Sequence, residues 1–139
     1  RFKGFQFAAF TASMISKSKS LQSISILRGD MNDHIVKSLS HSLGESQTLE
    51  KVDFSFNDIG NEGCCALADG LKQNGTIKYV NIWGNPAIGP DGLAYLSDML
   101  LSNKTLERLN TPDDEAIRSQ IDERLSKNRD QKAGHAVAA

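Results

Sequence analysis

The chain has 139 residues, which is enough for one domain with a hydrophobic core of its own. Its 16 lysine and arginine residues nearly balance its 17 aspartate and glutamate residues. This balance argues against bulk attraction to nucleic acid or to an anionic membrane, and no apolar run is long enough to span a bilayer. The two cysteines, Cys64 and Cys65, are adjacent on a predicted helix and cannot pair with each other there, which favours a reducing, cytoplasmic setting.

The sequence repeats itself with a nearly constant period. Units of one pattern begin at Leu21, Leu49, Ile77 and Leu106, which lie 28, 28 and 29 residues apart. A fixed period of this size predicts stacked supersecondary units. We therefore expect one repeat domain over residues 1–129. Its predicted parts are a partial first repeat, repeats near 21–48, 49–76 and 77–105, a C-terminal capping unit at 106–129, and then a flexible tail at 130–139.

The first twenty residues align with the helical half of a repeat. Gly4 stands in phase with Gly60, and Ile15 with Leu71, so a helix is predicted without the strand that would precede it. The chain also lacks an initiator methionine and begins inside the repeat pattern. This indicates a fragment of a longer chain rather than a signal peptide.

Each later unit opens on a predicted strand. Apolar residues occupy its positions 1, 4 and 6, and the alternation between the last two is the period of a strand. Right-handed connections then favour one parallel sheet in sequence order. The predicted strands lie near residues 21–26, 49–54, 77–82 and 106–109.

A turn and a helix follow each strand. Asn57 and Asn85 come three residues after the strand, where a buried asparagine can satisfy turn backbone groups. Gly29 replaces the asparagine in the first copy, so we expect that turn to be less firmly held. The helices show apolar residues at a period of 3.6. These residues are Ile35, Leu39 and Leu43, then Cys64, Leu67 and Leu71, then Leu93, Leu96 and Leu100.

The last unit departs from this pattern. Thr111 is a plausible N-cap with Pro112 at the first helical position, and an apolar stripe follows at Ile117, Ile121 and Leu125. A solenoid needs such a terminal cap because its last repeat has no neighbour. Residues 130–139 lack an amphipathic pattern, which predicts a loose tail.

The pattern resembles the leucine-rich repeat of the ribonuclease-inhibitor type, over about residues 4–128. The clearest matches are LEKVDFSFNDIGNEGCCALADGLKQN (residues 49–74) and IKYVNIWGNPAIGPDGLAYLSDMLLSN (residues 77–103). The resemblance implies an α/β solenoid, or horseshoe, with a parallel sheet on the concave side and helices on the convex side.

Catalytic and cofactor chemistry finds little support in the sequence. No serine or cysteine sits at an elbow-like turn, and no carboxylate pair suggests acid–base catalysis. Asp30, Asp33 and His34 could gather around a metal, but capping of the strand-to-helix loop accounts for them better. The stretch at residues 84–89 lacks the Gly-Lys-Ser/Thr of a phosphate loop. We expect no enzyme activity, cofactor, metal or small-molecule substrate.

The outward positions of the strands predict a partner-binding face. Exposed aromatic residues beside arginine are typical of protein–protein hot spots, and mixed charges suit a protein better than nucleic acid. The alternative is that Phe56 and Trp83 only cover the edge of the sheet. The candidate residues are Leu27, Arg28, Lys51, Asp53, Phe56, Tyr79, Asn81, Trp83 and Arg108.

The resemblance implies a non-catalytic scaffold that binds a protein on its concave face. Three settings fit: immune receptors of the nucleotide-oligomerisation type, cytoskeletal or ciliary scaffolds, and capping proteins of the tropomodulin kind. The alternative is a small-GTPase regulator like the Ran GTPase-activating proteins, whose repeats are typically followed by an acidic segment. Here Lys127, Arg129 and Lys132 outweigh Asp130, which favours the scaffold. The sequence leaves the oligomeric state open.

Overall fold

In a computed structural model of the protein, which describes residues 4–29 and 31–138, helices and strands alternate along the chain. The helices are α1 (Gly4–Lys17), α2 (Asp33–Glu45), α3 (Asn61–Gln73), α4 (Pro90–Met99) and α5 (Glu115–Ala138). The strands are β1 (Ser23–Ser25), β2 (Lys51–Asp53), β3 (Tyr79–Asn81) and β4 (Arg108–Asn110). All four strands pair in parallel in the order β1-β2-β3-β4, and each helix packs against the next. The predicted α/β solenoid with its parallel sheet is confirmed.

The strands are shorter than predicted, at three residues each. Backbone pairing continues just beyond them, since the Phe54 amide donates to the Asn81 carbonyl over 2.9 Å. The Phe56 amide likewise donates to the Trp83 carbonyl over 3.0 Å, so bonds between the repeats extend into the turn although the regular strands end earlier. The core lies between the sheet and the helices, and Leu67 and Leu96 are fully buried in it, as predicted.

Buried asparagines join each turn to the repeat before it. The Asn57 amide nitrogen donates to the Phe54 carbonyl of its own strand over 2.9 Å, and to the Ile26 carbonyl of the preceding repeat over 2.7 Å. The Asn57 side-chain oxygen accepts from the Gly29 amide over 3.0 Å. The first turn has no asparagine of its own, but Asn57 of the next repeat provides hydrogen-bond partners for two of its backbone groups.

The N-termini of α3 and α4 are also capped from the preceding repeat. The Asp33 carboxylate accepts from the Gly60 and Gly63 amides at 2.6 and 2.9 Å. One repeat later, the Asn61 side-chain oxygen accepts from the Gly89 and Gly92 amides and so caps α4. A Cβ atom at Gly63 would lie 2.5 Å from the Asp33 carboxylate, so the close approach requires glycine. Asp33 is therefore occupied in capping, whereas Asp30 lies outside the described residues.

Helix α5 begins later than predicted. Asp114, not Thr111, caps it, because the Asp114 carboxylate accepts from the Ala116 and Ile117 amides at 3.1 and 3.4 Å. A carboxylate at this position offers the first turn a charged acceptor, which also complements the helix dipole. Pro90 occupies the repeat position of Asp33 and Asn61, the residues that cap α3 and α4. Proline has no side-chain acceptor, so α5 receives no such cap from the preceding repeat.

Residues 130–138 are helical, since α5 runs to Ala138, whereas the sequence indicated no helix there; the flexibility predicted for residues 130–139 stays a prediction. A solvent-exposed helix needs no apolar stripe, and alanine, which recurs in this segment, has the highest intrinsic helix propensity. Two contacts anchor this part of α5 to the last repeat. Arg129 donates to the Glu107 carbonyl over 2.6 Å, and Lys132 pairs with the Glu107 carboxylate over 2.8 Å. The boundary of the repeat domain at residue 129 remains a prediction.

Candidate functional site

Five of the predicted partner-binding residues form two rows across the sheet. Lys51, Tyr79 and Arg108 are successive partners in the first row. Asp53 and Asn81 are partners in the second. The Arg108 guanidinium lies 5.5 Å from the centre of the Tyr79 ring, within the range of a cation–π contact.

The second row supports the turns that follow the strands. The Asp53 carboxylate accepts from the Ser55 hydroxyl over 2.7 Å and from the Ser55 amide over 3.0 Å. The Asn81 side chain accepts from the Trp83 amide over 3.0 Å. Asp53 and Asn81 therefore hold the backbone that presents the next group of residues.

The remaining predicted residues lie together where the strands end, and we call Leu27, Arg28, Phe56 and Trp83 the edge cluster. The Phe56 and Trp83 rings meet edge to face, with centroids 5.2 Å apart and planes at 83°. The Arg28 guanidinium lies 5.6 Å from the centre of the Phe56 ring. Phe56 and Trp83 are each 43% exposed, and Leu27 is 49% exposed. The structure therefore leaves a layered apolar and cationic surface open to solvent.

The backbone beneath the edge cluster has an uncommon conformation. Arg28, Phe56 and Gly84 stand at the same repeat position and have φ angles of +48°, +57° and +76°. An aromatic residue in this left-handed region is an outlier, and such outliers concentrate at binding sites. A Cβ atom at Gly84 would lie 2.8 Å from the Phe56 ring, so glycine makes room for that ring. The fold holds Phe56 in a fixed, exposed position.

Helix α5 adds charged residues that sequence reasoning did not assign to this face. Arg118, Asp122 and Arg129 line an open pocket of about 200 Å³ together with Tyr79 and Arg108, and we call these five residues the arginine pocket. The α5 members recur at intervals of four and seven residues, which places them on one helical face. That spacing is visible in the sequence, but the apolar stripe of α5 indicated only a capping role.

Two features of the described residues bear on chemistry: the grouping of possible metal ligands and the state of the two thiols. Within residues 4–29 and 31–138, no three histidine, cysteine, aspartate or glutamate side chains are grouped to hold a metal ion. Burial raises the pKa of the Cys64 thiol to about 12, and burial followed by the nearby Asp69 charge also raises the pKa of Cys65. A raised thiol pKa lowers the thiolate fraction at neutral pH, and the thiolate is the reactive form.

We expect both thiols of the folded protein to react slowly with iodoacetamide at pH 8, and Cys64 to react only on unfolding. The thiolate of Cys64 becomes abundant only as the pH approaches its raised pKa, and its side chain is also fully buried. Mass spectrometry of the intact protein would follow the labelling, with the urea-unfolded chain as control. Rapid double labelling of the folded protein would contradict this prediction.

Comparisons with known proteins agree with the repeat architecture. A family model described as a leucine-rich repeat matches residues 45–68. The chain is 27% identical to the Mus musculus ribonuclease inhibitor over 101 residues, which are 72% of this chain and 22% of that protein. It is 28% identical to Homo sapiens NLRC5 over 81 residues, which are 58% of this chain and 4% of that protein. The chain thus spans about a fifth, or less, of the length of these relatives.

Two solved structures share the fold. The structure of leiomodin-1 actin-binding site 2 superposes with a TM-score of 0.90 at 19% identity, over 99% of this chain and 80% of that chain. The tropomodulin C-terminal domain of Caenorhabditis elegans gives a TM-score of 0.69 at 11% identity, over 95% of this chain and 99% of that one. In the part of the chain that the structure describes, no helix combines the length and the apolar character needed to cross a membrane.

Proposed function

We propose that this chain is a non-catalytic protein-interaction module of the cytoplasmic actin cytoskeleton, built from leucine-rich repeats of the ribonuclease-inhibitor type. The exposed sheet face and the edge cluster would bind the partner. The observation that carries this proposal is the exposed pair of Phe56 and Trp83 beside Arg28. Aromatic residues and arginine dominate the binding energy of protein interfaces.

The fixed geometry of these side chains supports a binding role over simple coverage of the sheet edge. More than two fifths of each ring is open to solvent, although the rings already contact each other. The left-handed backbone at Phe56 and the glycine at position 84 restrict the positions that the Phe56 ring can adopt. A side chain that is ordered before binding loses less conformational entropy when the partner arrives.

Actin is the proposed partner because of the two solved structures. Leiomodin-1 actin-binding site 2 shares the fold over almost the whole of this chain. The tropomodulin domain shares it at a lower TM-score. We propose that this chain uses the same kind of solenoid for an actin surface.

We predict that Trp83→Ala and Tyr79→Ala each weaken actin binding by about 2 kcal/mol or more, the usual scale of a hot spot. This corresponds to about a 30-fold rise in Kd. Co-sedimentation with actin filaments and fluorescence anisotropy with monomeric actin would measure the effect. The melting temperature should change little, because Trp83 is exposed and Tyr79 is only partly buried.

Tyr95→Ala is the matched control, because Tyr95 is also an exposed aromatic residue but lies on α4, where its hydroxyl donates to Asp69 on α3. Tyr95→Ala should leave binding unchanged. Loss of binding in this variant alone would move the interface to the helices. If the unmodified chain bound neither form of actin, actin would be wrong as the partner.

A further inference from the structure

We propose that the arginine pocket binds the carboxylate of an acidic side chain, aspartate or glutamate, on the partner protein. The inference rests on the proposed function in one respect, since it assumes that the partner is a protein. It goes beyond that function by assigning a second, electrostatic contact beside the edge cluster. The pocket lies between β4 and α5, where Arg108, Arg118 and Arg129 surround one depression.

The charge of the pocket favours an anionic ligand. Three arginines line it, and Asp122 is the one carboxylate among its described lining residues. The lining thus has a formal excess of two positive charges, of which the Asp113 carboxylate beside Arg118 offsets one, whereas the whole chain carries a net charge of −1. Guanidinium groups bind carboxylates through paired hydrogen bonds, which makes arginine well suited to this ligand.

Each arginine of the pocket is also already oriented by a neighbouring group. Arg108 lies over the Tyr79 ring, 5.5 Å from its centre. Arg118 donates to the Asp113 carboxylate over 2.9 Å, and Arg129 donates to the Glu107 carbonyl over 2.6 Å. Each guanidinium group has five N–H donors, so these contacts leave donors for a ligand. Ordering of the three side chains before binding reduces the entropy lost on binding.

The size of the pocket favours a single side chain. Its volume of about 200 Å³ lies below the range of about 300–1,000 Å³ that is typical of drug-sized ligand sites. The lining also includes Leu109 and Leu125, apolar residues suited to contact the methylene groups of an aspartate or glutamate side chain. The pocket also shares Tyr79 and Arg108 with the first row of the sheet face. One partner surface could therefore contact both the arginine pocket and the sheet face.

The test uses the intact chain and a fluorescein-labelled hexaglutamate peptide, with anisotropy measured at low ionic strength. We expect Arg118→Gln and Arg129→Gln each to raise the peptide Kd about fivefold, near the upper limit for solvent-exposed ion pairs. Asp122→Asn should lower the Kd about twofold, because it removes the negative charge from the pocket. Circular dichroism would verify that each variant is folded.

Two substitutions on the same helix but outside the pocket serve as matched controls. Lys127→Gln removes one positive charge, and Asp130→Asn removes one negative charge, both at exposed positions of α5. Neither should change the Kd. Failure of the peptide to bind, or an equal loss in Lys127→Gln, would overturn the proposal. Displacement of the peptide by inorganic phosphate but not by acetate at equal concentration would reassign the pocket to phosphate.

The peptide assay contains no actin, so the two proposals can fail separately. Peptide binding in a chain that does not bind actin would remove actin as the partner and leave the pocket assignment intact. Actin binding without peptide binding would remove the pocket assignment and leave actin as the partner.

Discussion

Replacing Leu67 with alanine is expected to lower the free energy of unfolding by about 2–5 kcal/mol, the usual cost of a buried leucine-to-alanine change. Leu67 is fully buried on α3, which packs against both α2 and α4. The substitution therefore opens a cavity in the middle of the solenoid, where the surrounding repeats can relax only partly. Urea denaturation followed by circular dichroism would measure the loss.

Leu101→Ala is the matched control, because Leu101 follows α4 and is 58% exposed. Its effect should stay within about 0.5 kcal/mol, as is usual for surface substitutions. Each repeat contacts only its neighbours, so α2 and α4 should lose protection from hydrogen exchange together with α3. Equal unfolding midpoints for Leu67→Ala and the unmodified chain would contradict the repeat register.

The sequence predicted the repeating part of the fold because side chains at the same repeat positions must be buried every 28 or 29 residues. Leu67 and Leu96 stand at one position of successive repeats, and both are fully buried. The turn asparagines were equally predictable, since a buried turn must satisfy its backbone polar groups. Periodicity thus identified the strands, the helices and their core residues.

Contacts between repeats were harder to predict, because a single repeat does not contain both partners. The Asp33 side chain caps α3, which lies in the next unit, so its role depends on the stacking distance. The left-handed backbone at Phe56 was also missed, because phenylalanine seldom adopts it. The outward direction of Trp83 followed from the strand register, but its edge-to-face contact with Phe56 did not.

The C-terminal unit shows why the prediction weakened where the repeat ends. The absence of an apolar stripe after residue 129 predicted a tail, but helix propensity and the contacts of Arg129 with Glu107 favour a helix. The arginine pocket was missed for a related reason. Its members come from β4 and α5, and the angle at which α5 crosses the sheet cannot be read from the local sequence.

Replacing Asn85 with alanine is expected to lower the free energy of unfolding by about 3–5 kcal/mol, since each buried polar group left unsatisfied costs about 1–3 kcal/mol. Asn85 is fully buried. Its amide nitrogen donates to the Phe54 and Ile82 carbonyls at 3.0 and 2.9 Å, and its side-chain oxygen accepts from the Ile59 amide at 3.0 Å. Alanine removes all three bonds and leaves the Ile82 carbonyl and the Ile59 amide without this partner in the buried interior, whereas the Phe54 carbonyl keeps its bond from Asn57.

Two further variants identify the cause of this loss. Asn110→Ala removes an exposed asparagine from β4 and should change stability by no more than about 0.5 kcal/mol. Asn85→Asp keeps an acceptor for the Ile59 amide but turns a carboxylate oxygen towards two carbonyls, so it should destabilise at least as much as alanine. Trp83, the only tryptophan, is two residues away and reports the local transition by fluorescence. If Asn85→Ala matched Asn110→Ala in its unfolding midpoint, the bonds between repeats would contribute little and side-chain packing alone would hold the solenoid together.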